Sequence, residues 1–173
     1  MREPEPVLVA LALGGNLGPV AETLRTALRH LEAALGPLQA APLYRTAAVT
    51  PTPQPDYLNT AALGRTTLPP DAVLALAKSL ERAAGRRPGP RFGPRPLDID
   101  LLLWGDLVLP YPELTLPHPR LRDRRFVLEP LAALAPELPV PPDGRRVREL
   151  LAAVADQRVE RASADCLPNT KSS

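Results

Sequence analysis

The chain has 173 residues, with 45% hydrophobic and 23% charged side chains and a formal net charge of +2. That is a globular composition with room for one domain, which excludes a charge-swollen disordered chain and a fibrous repeat. No apolar run approaches the ~20 residues that span a bilayer, MREPEPVLVALALGG is too acidic and proline-broken for a secretory leader, and the single Cys166 excludes an internal disulfide framework; the expected address is the cytoplasm.

Val7 to Leu13 (VLVALAL) reads as a buried strand, closed by Gly14-Gly15-Asn16-Leu17-Gly18, a strand-to-helix turn rather than a phosphate cradle. A helix follows, with Pro19 near its first turn and Leu24, Leu28, Leu31 and Leu35 along one face until Gly36-Pro37 stops it. Residues 38–49 and 58–67 read as two strands separated by the proline-rich TPTPQPDY. Pro69-Pro70-Asp71 opens a second helix, with Leu74, Ala77, Leu80 and Ala84 expected inward and Gly85 at its end. A basic loop, RRPGPRFGPR, leads into the strand PLDIDLLLW, and Gly105-Asp106 suggests a turn into a strand LVL at 107–109. Beyond it the chain reads as irregular through LTLPHPRLRDRRF. A short apolar segment VLEPLAALAPEL and a last helix over Val147 to Val154 follow. The order β-α-β-β-α-β predicts an α+β fold, a ferredoxin-like open antiparallel sheet with both helices on one face and C-terminal additions. The expected domain is residues 1–155, with 156–173 a disordered polar tail.

Asp98 and Asp100 raise the main chemical question. Side chains alternate along a strand, so both carboxylates point the same way, ~6.6 Å apart along the chain. Leu101, Leu102, Leu103 and Trp104 mark the strand as interior, where each unpaired ion costs several kcal/mol of desolvation. Arginine partners on an exposed face would be the bland solution. A cleft holding divalent cations is the functional one, and Mg²⁺ fits best because it takes one or two carboxylates together with phosphate oxygens and water.

The neighbouring residues sharpen this. Lys78 and Lys171 are the only lysines, so a phosphate site must rely on arginine forks and backbone amides. Arg86, Arg87, Arg91 and Arg95 crowd the segment before the two acids and suit an anionic ligand. No P-loop motif is present. His118, between prolines, and the arginines at 120, 122, 124 and 125 are further candidates, most of the latter expected to be solvated. Tyr57 and Phe126, each at the end of a loop, could sandwich a flat heterocycle.

Together LALGGNLG, YRTAAVTPTPQPDYLNTA, RFGPRPLDIDLLLWG and LTLPHPRLRDRRFVLEPL resemble the 6-hydroxymethyl-7,8-dihydropterin pyrophosphokinase family, over roughly residues 7 to 142. The resemblance implies pyrophosphoryl transfer from ATP to the hydroxymethyl group of the pterin, leaving AMP, in folate biosynthesis. It implies two Mg²⁺ ions on Asp98 and Asp100, and a pterin stacked between Tyr57 and Phe126 and read by Asn59 with groups around Thr46 and Val49. It further implies a triphosphate met by Arg86, Arg95, His118 and Arg124, and adenosine contacts at Glu81, Leu101 and Thr115. Arg86 and Arg95 would act catalytically beside the two acids, one of which could accept the hydroxyl proton. Ala47 and Phe92 stand where proline and tryptophan are common in the family, and the arginine loop is short.

Two other classes compete. A ferredoxin-like RNA-binding module would carry aromatics, not acids, on its central strands. A non-catalytic nucleotide or metabolite binder could keep every contact and perform no chemistry. The expected partners are ATP and the pterin alone, with no nucleic acid or membrane, and the expected state is a monomer.

Overall fold

Strand β1 (Val7–Gly15) runs down the middle of a sheet and sets the layering of the molecule. Its Val9, Leu11 and Leu13 point to one face, while Ala10 and Ala12 point to the other. The computed structural model describes residues 4–48, 50–85 and 93–162. After β1 come α1 (Val20–Leu35), β2 (Leu38–Ala40), β3 (Tyr44–Thr46), β4 (Tyr57–Thr66), α2 (Pro70–Ala83) and β5 (Asp98–Trp104). A hairpin of β6 (Leu109–Tyr111) and β7 (Leu114–Leu116) follows, then α3 (Arg125–Leu134), the pair β8 (Pro139–Val140) and β9 (Arg145–Arg146), α4 (Val147–Ala152) and β10 (Glu160–Arg161).

The main sheet has the order β10-β3-β4-β1-β5, with β2 also on β4, and every pairing is antiparallel. The four long-range strands thus take the expected ferredoxin-like order. Helices α1 and α2 cover the first face, where Leu24 and Leu31 of α1 and Val73 and Ala77 of α2 close over Leu11, Leu13, Ile99 and Leu101. Each fully buried leucine there contributes ~1.5–3 kcal/mol.

The second face is treated differently along its length. Helices α3 and α4 lie over one half, with Leu128, Leu131 and Leu150 against Ala10, Ala61, Leu102 and Leu103. The small alanines let the helices approach the sheet closely. A bulge shapes this half, because Leu101 pairs with Leu11 and Leu103 with Ala10, which leaves Leu102 without a partner on β1. The extra residue turns Leu103 onto the second face and Trp104 onto the first, where its indole N–H donates to the Leu68 carbonyl at 3.0 Å. The other half of the second face carries no helix.

Several expectations need correction. The strand predicted over 38–49 is two pieces along one edge of β4, broken at Pro42, which has no N–H to give the ladder. The inward stripe of α2 begins at Val73, not Leu74; Ala77 belongs to it as expected, and the buried Glu81 continues it. The strand predicted at 107–109 lies two residues later as β6, and Val108 is exposed. The segment predicted as irregular holds β7, a 3-10 turn (Leu121–Asp123) and the start of α3. The last helix stops at Ala152. The two-acid strand is an edge strand of the sheet rather than a central one. Finally, residues 156–162 are not a disordered tail: β10 pairs with β3, and Ala162 is buried, its N–H donating to the Leu43 carbonyl at 2.8 Å.

Candidate active site

The bare half of the second face is the floor of a cavity of about 1050 Å³. Strand alternation puts Ala12 and Gly14 of β1, Asn59 of β4 and Asp98 and Asp100 of β5 on it together. The walls come from Thr46 on β3, Tyr57 at the start of β4, Arg120, Arg124 and Phe126 ahead of and within α3, and residues 157–160. Arg95 closes the side next to β5.

Local packing fixes several of these groups. Gly14 pairs with Asn59, and a Cβ at Gly14 would lie 2.6 Å from Asn59 Oδ1. Asn59 in turn donates from Nδ2 to Thr46 Oγ1 at 3.0 Å, so glycine clears the space in which a polar reader is held. A Cβ at Gly15 would meet the Pro96 carbonyl oxygen at 2.5 Å, and that close approach brings the segment carrying Arg95 onto the end of β1. Asn16, only 3% exposed, ties the two flanking loops together. Its Nδ2 donates to Gln54 Oε1 and to the Pro55 carbonyl, both at 3.1 Å, and its Oδ1 accepts the Arg95 N–H at 2.8 Å.

The two acids have side chains 27% and 45% exposed. Arg95 Nη1 lies 3.2 Å from Asp98 Oδ1, and His118 Nε2 lies 3.8 Å from Asp100 Oδ1. Arginine pairing and a cleft therefore coexist. His118 accepts the Arg120 N–H at Nδ1, 3.1 Å, which leaves the proton of the neutral ring on Nε2, facing Asp100. Burial holds its pKa below the usual histidine value, Asp100 opposes this, and Arg124 and Arg120 add to it. Burial likewise lowers the pKa of Arg124, aided by Arg120 and opposed by Asp100, Asp123 and Asp98. The Arg124 guanidinium carbon sits 5.4 Å from the centroid of the Phe126 ring.

Of the predicted site residues, Thr46, Tyr57, Asn59, Arg95, Asp98, Asp100, Arg124 and Phe126 all meet in this cavity. Glu81, Leu101, Thr115 and His118 do not line it. They gather instead around the outer edge of β5. Glu81 Oε2 accepts the Ile99 N–H at 3.0 Å, the His118 N–H donates to the Leu102 carbonyl at 2.9 Å, and β7, which carries Thr115, packs on β5. The Leu101 side chain is buried on the helix face, and Thr115 Oγ1 donates to the Tyr111 carbonyl at 2.8 Å. Arg86 and Val49 lie outside the described residues. Arg120, one of the candidate arginines, also lines the cavity, whereas sequence reasoning did not single out Asn16 or Gln157; a buried amide in a turn and a glutamine in a polar tail give no periodic signal.

Among the described residues no three His, Cys, Asp or Glu side chains group as metal ligands. Two carboxylates opening on the cavity instead suit Mg²⁺ carried in with phosphate oxygens and water completing its shell. Paired acids, arginines and a stacking aromatic around one cleft define a site of the phosphoryl-transfer class.

Comparison with known proteins gives the particular family. A sequence model of 7,8-dihydro-6-hydroxymethylpterin-pyrophosphokinase (HPPK) matches residues 10–136. The chain is 41% identical over 157 residues to the 2-amino-4-hydroxy-6-hydroxymethyldihydropteridine pyrophosphokinase of Pseudomonas aeruginosa, covering 88% of this chain and 95% of that one. It is 38% identical over 146 residues to the Synechocystis enzyme of the same name, covering 83% and 74%. A crystal structure of Plasmodium falciparum HPPK-DHPS with pteroate superposes with a TM-score of 0.71 over 90% of this chain and 44% of that chain, at 15% identity, which supports the fold alone. The chain belongs to the HPPK family. It is accordingly a transferase that uses ATP and passes pyrophosphate to hydroxymethyldihydropterin in folate synthesis.

Proposed function

We propose that the cavity holds the pterin and the triphosphate side by side, and that the outer edge of β5 holds the adenosine. One observation carries this reading: Asn59, Tyr57 and Phe126 share a single cavity with Asp98, Asp100, Arg95 and Arg124. Tyr57 and Phe126 would sandwich the flat ring, while Asn59, oriented by Thr46, reads its polar edge with help from the backbone near Val49. Arg95, Arg124, His118 and Arg86 would meet the triphosphate. On β5 the Ile99 N–H points outward to Glu81, and antiparallel alternation directs the peptide groups of Leu101 the same way. The adenosine would therefore meet Leu101 through its backbone, between Glu81 and Thr115. The 3.8 Å approach of His118 to Asp100 links this edge to the cavity.

Asp98 and Asp100 would hold Mg²⁺, two ions in this reading, whose chemistry when bound with ATP is to neutralise charge on the phosphate chain. The chain's own residues do the rest. The sandwich and Asn59 aim the hydroxymethyl oxygen at the β-phosphorus, and such positioning is the largest service a protein gives this reaction. The hydroxyl would give its proton to a carboxylate of Asp98 or Asp100 as its oxygen bonds to the β-phosphorus, while the bond from the β-phosphorus to the α-phosphate oxygen breaks and that oxygen departs with AMP. Arg95 and Arg86 stabilise the charge on that departing oxygen. No described helix is long and apolar enough to cross a membrane, and the reading places the chain in the cytoplasm as a monomer. Incubation with ATP, Mg²⁺ and the pterin alcohol tests the whole scheme: AMP and a pterin diphosphate are expected, whereas ADP would mean transfer of one phosphoryl group and refute it.

A further inference from the structure

The chain from residue 156 was expected to be a disordered polar tail, yet residues 157–160 form a wall of the cavity. Gln157 is its anchor. Its side-chain Oε1 accepts the N–H of Arg125, the first residue of α3, at 2.9 Å, and its Nε2 donates to the Asp123 carbonyl at 2.7 Å. One amide thus grips the backbone on both sides of Arg124. Arg125 returns the contact: Nη1 donates to the Ala155 carbonyl at 3.0 Å and to the Gln157 carbonyl at 2.6 Å, and Nε donates to Glu129 Oε2 at 3.1 Å.

Position explains why this matters. No side chain from its own neighbourhood caps α3, so the first amide of the helix relies on a partner 32 residues away. Arg124 and Phe126 flank Arg125, and both face the cavity, with the guanidinium of one over the ring of the other. Their side chains can be aimed only as well as the backbone between Asp123 and Phe126 is fixed. Small errors of aim in such a site cost large factors in rate.

We propose that Gln157, clasped by Arg125, is a positioning residue that orients Arg124 and Phe126 toward the substrates, so that residues 155–160 belong to the working site. The inference rests on the roles given above to Arg124 and Phe126. Gln157→Ala removes both grips and is expected to lower kcat/KM for the pterin about tenfold, the scale of a misplaced contact group. Gln157→Glu keeps the acceptor for Arg125 but sets an oxygen against the Asp123 carbonyl, and its loss should fall between. The decisive readout is a double-mutant cycle. In the Arg124→Ala and Phe126→Ala backgrounds the penalty of Gln157→Ala should shrink to about threefold or less. Equal penalties in all three backgrounds, or a loss of melting temperature with kcat/KM retained, would overturn the proposal; if the alanine variant does not fold, the glutamate variant runs the same cycle. Amide exchange at Arg125, expected to quicken about tenfold or more in Gln157→Ala, needs no turnover. Should the unsubstituted protein make no AMP, the parent reading fails, and exchange at Arg125 still decides whether the grip exists: an unchanged rate refutes it.

Discussion

The two halves of the sheet's second face are built from the same strands and the same alternation, but they bury different things. In one half Ala10, Ala61, Leu102 and Leu103 meet the apolar sides of α3 and α4. In the other, Ala12, Gly14, Asn59, Asp98 and Asp100 meet a cavity. Along β5 the boundary falls between Asp100 and Leu102, one step on the same face, and the bulge lies there. A packed half gains stability from burying carbon. The bare half gives that up and turns two carboxylates and an amide toward the cavity instead.

Substitutions on either side of the boundary should therefore separate activity from stability. The largest effect is expected for Asp98→Ala or Asp100→Ala: turnover falls about 10³-fold, while the melting temperature holds or rises because like charges are relieved; the partly exposed contact to Arg95 offsets little of this. A melting temperature that collapses with activity intact would mean that the acids serve the fold. Across the boundary, Leu131→Ala should cost ~2–5 kcal/mol in denaturant unfolding, as buried leucine truncations do, and leave kcat essentially unchanged wherever the variant stays folded. If kcat falls instead, the packed half is not independent of the site. Phe126→Ala is expected to raise KM for the pterin about tenfold, the scale of a lost stacking partner, without a matching change for ATP; steady-state kinetics with each substrate varied would show it.

The smallest effect probes the far end of the packed half. Arg122 grips Asp143 with two hydrogen bonds, at 3.0 and 2.8 Å, and these, aided by the Arg145 N–H, lower the Asp143 pKa from 3.8 to about 2. A depressed carboxylate favours the folded state above its unfolded pKa, and that preference fades as pH falls through about 2. The pair is exposed, so the gain is small. Arg122→Ala should return the Asp143 titration toward 3.8 in an NMR experiment; an unmoved titration would show that another group holds it down.

Much of this organisation was legible in the sequence, for reasons that differ between residues. The leucines of α1 keep a helical spacing over about three turns, and β1 and β4 are long, so the βαββαβ order was readable. Asp98 and Asp100 sit two apart in an apolar run, and that contrast pointed to residues that line the cavity. The same run was misleading about place: LLLW suggested a central strand, because an edge strand covered by α2 and β7 is as dry as an interior one. Helix α3 was read only as an apolar segment, since it is apolar on most sides and has Pro130 within it. Strand β10 is two charged residues whose pairing with β3 is decided by tertiary contact, and nothing local in QRVERA announces it. Asn16 and Gln157 act through single hydrogen-bonding side chains, which leave no pattern.

The measurement that bears most directly on the bare half is calorimetric titration with a non-hydrolysable ATP analogue, with and without Mg²⁺, of the unsubstituted protein and of an Asp98→Asn/Asp100→Asn variant. Uptake that requires Mg²⁺ and disappears in the variant is the expected result. Uptake of equal strength without Mg²⁺, or undiminished in the variant, would contradict the idea that these two carboxylates face a cation-borne phosphate chain.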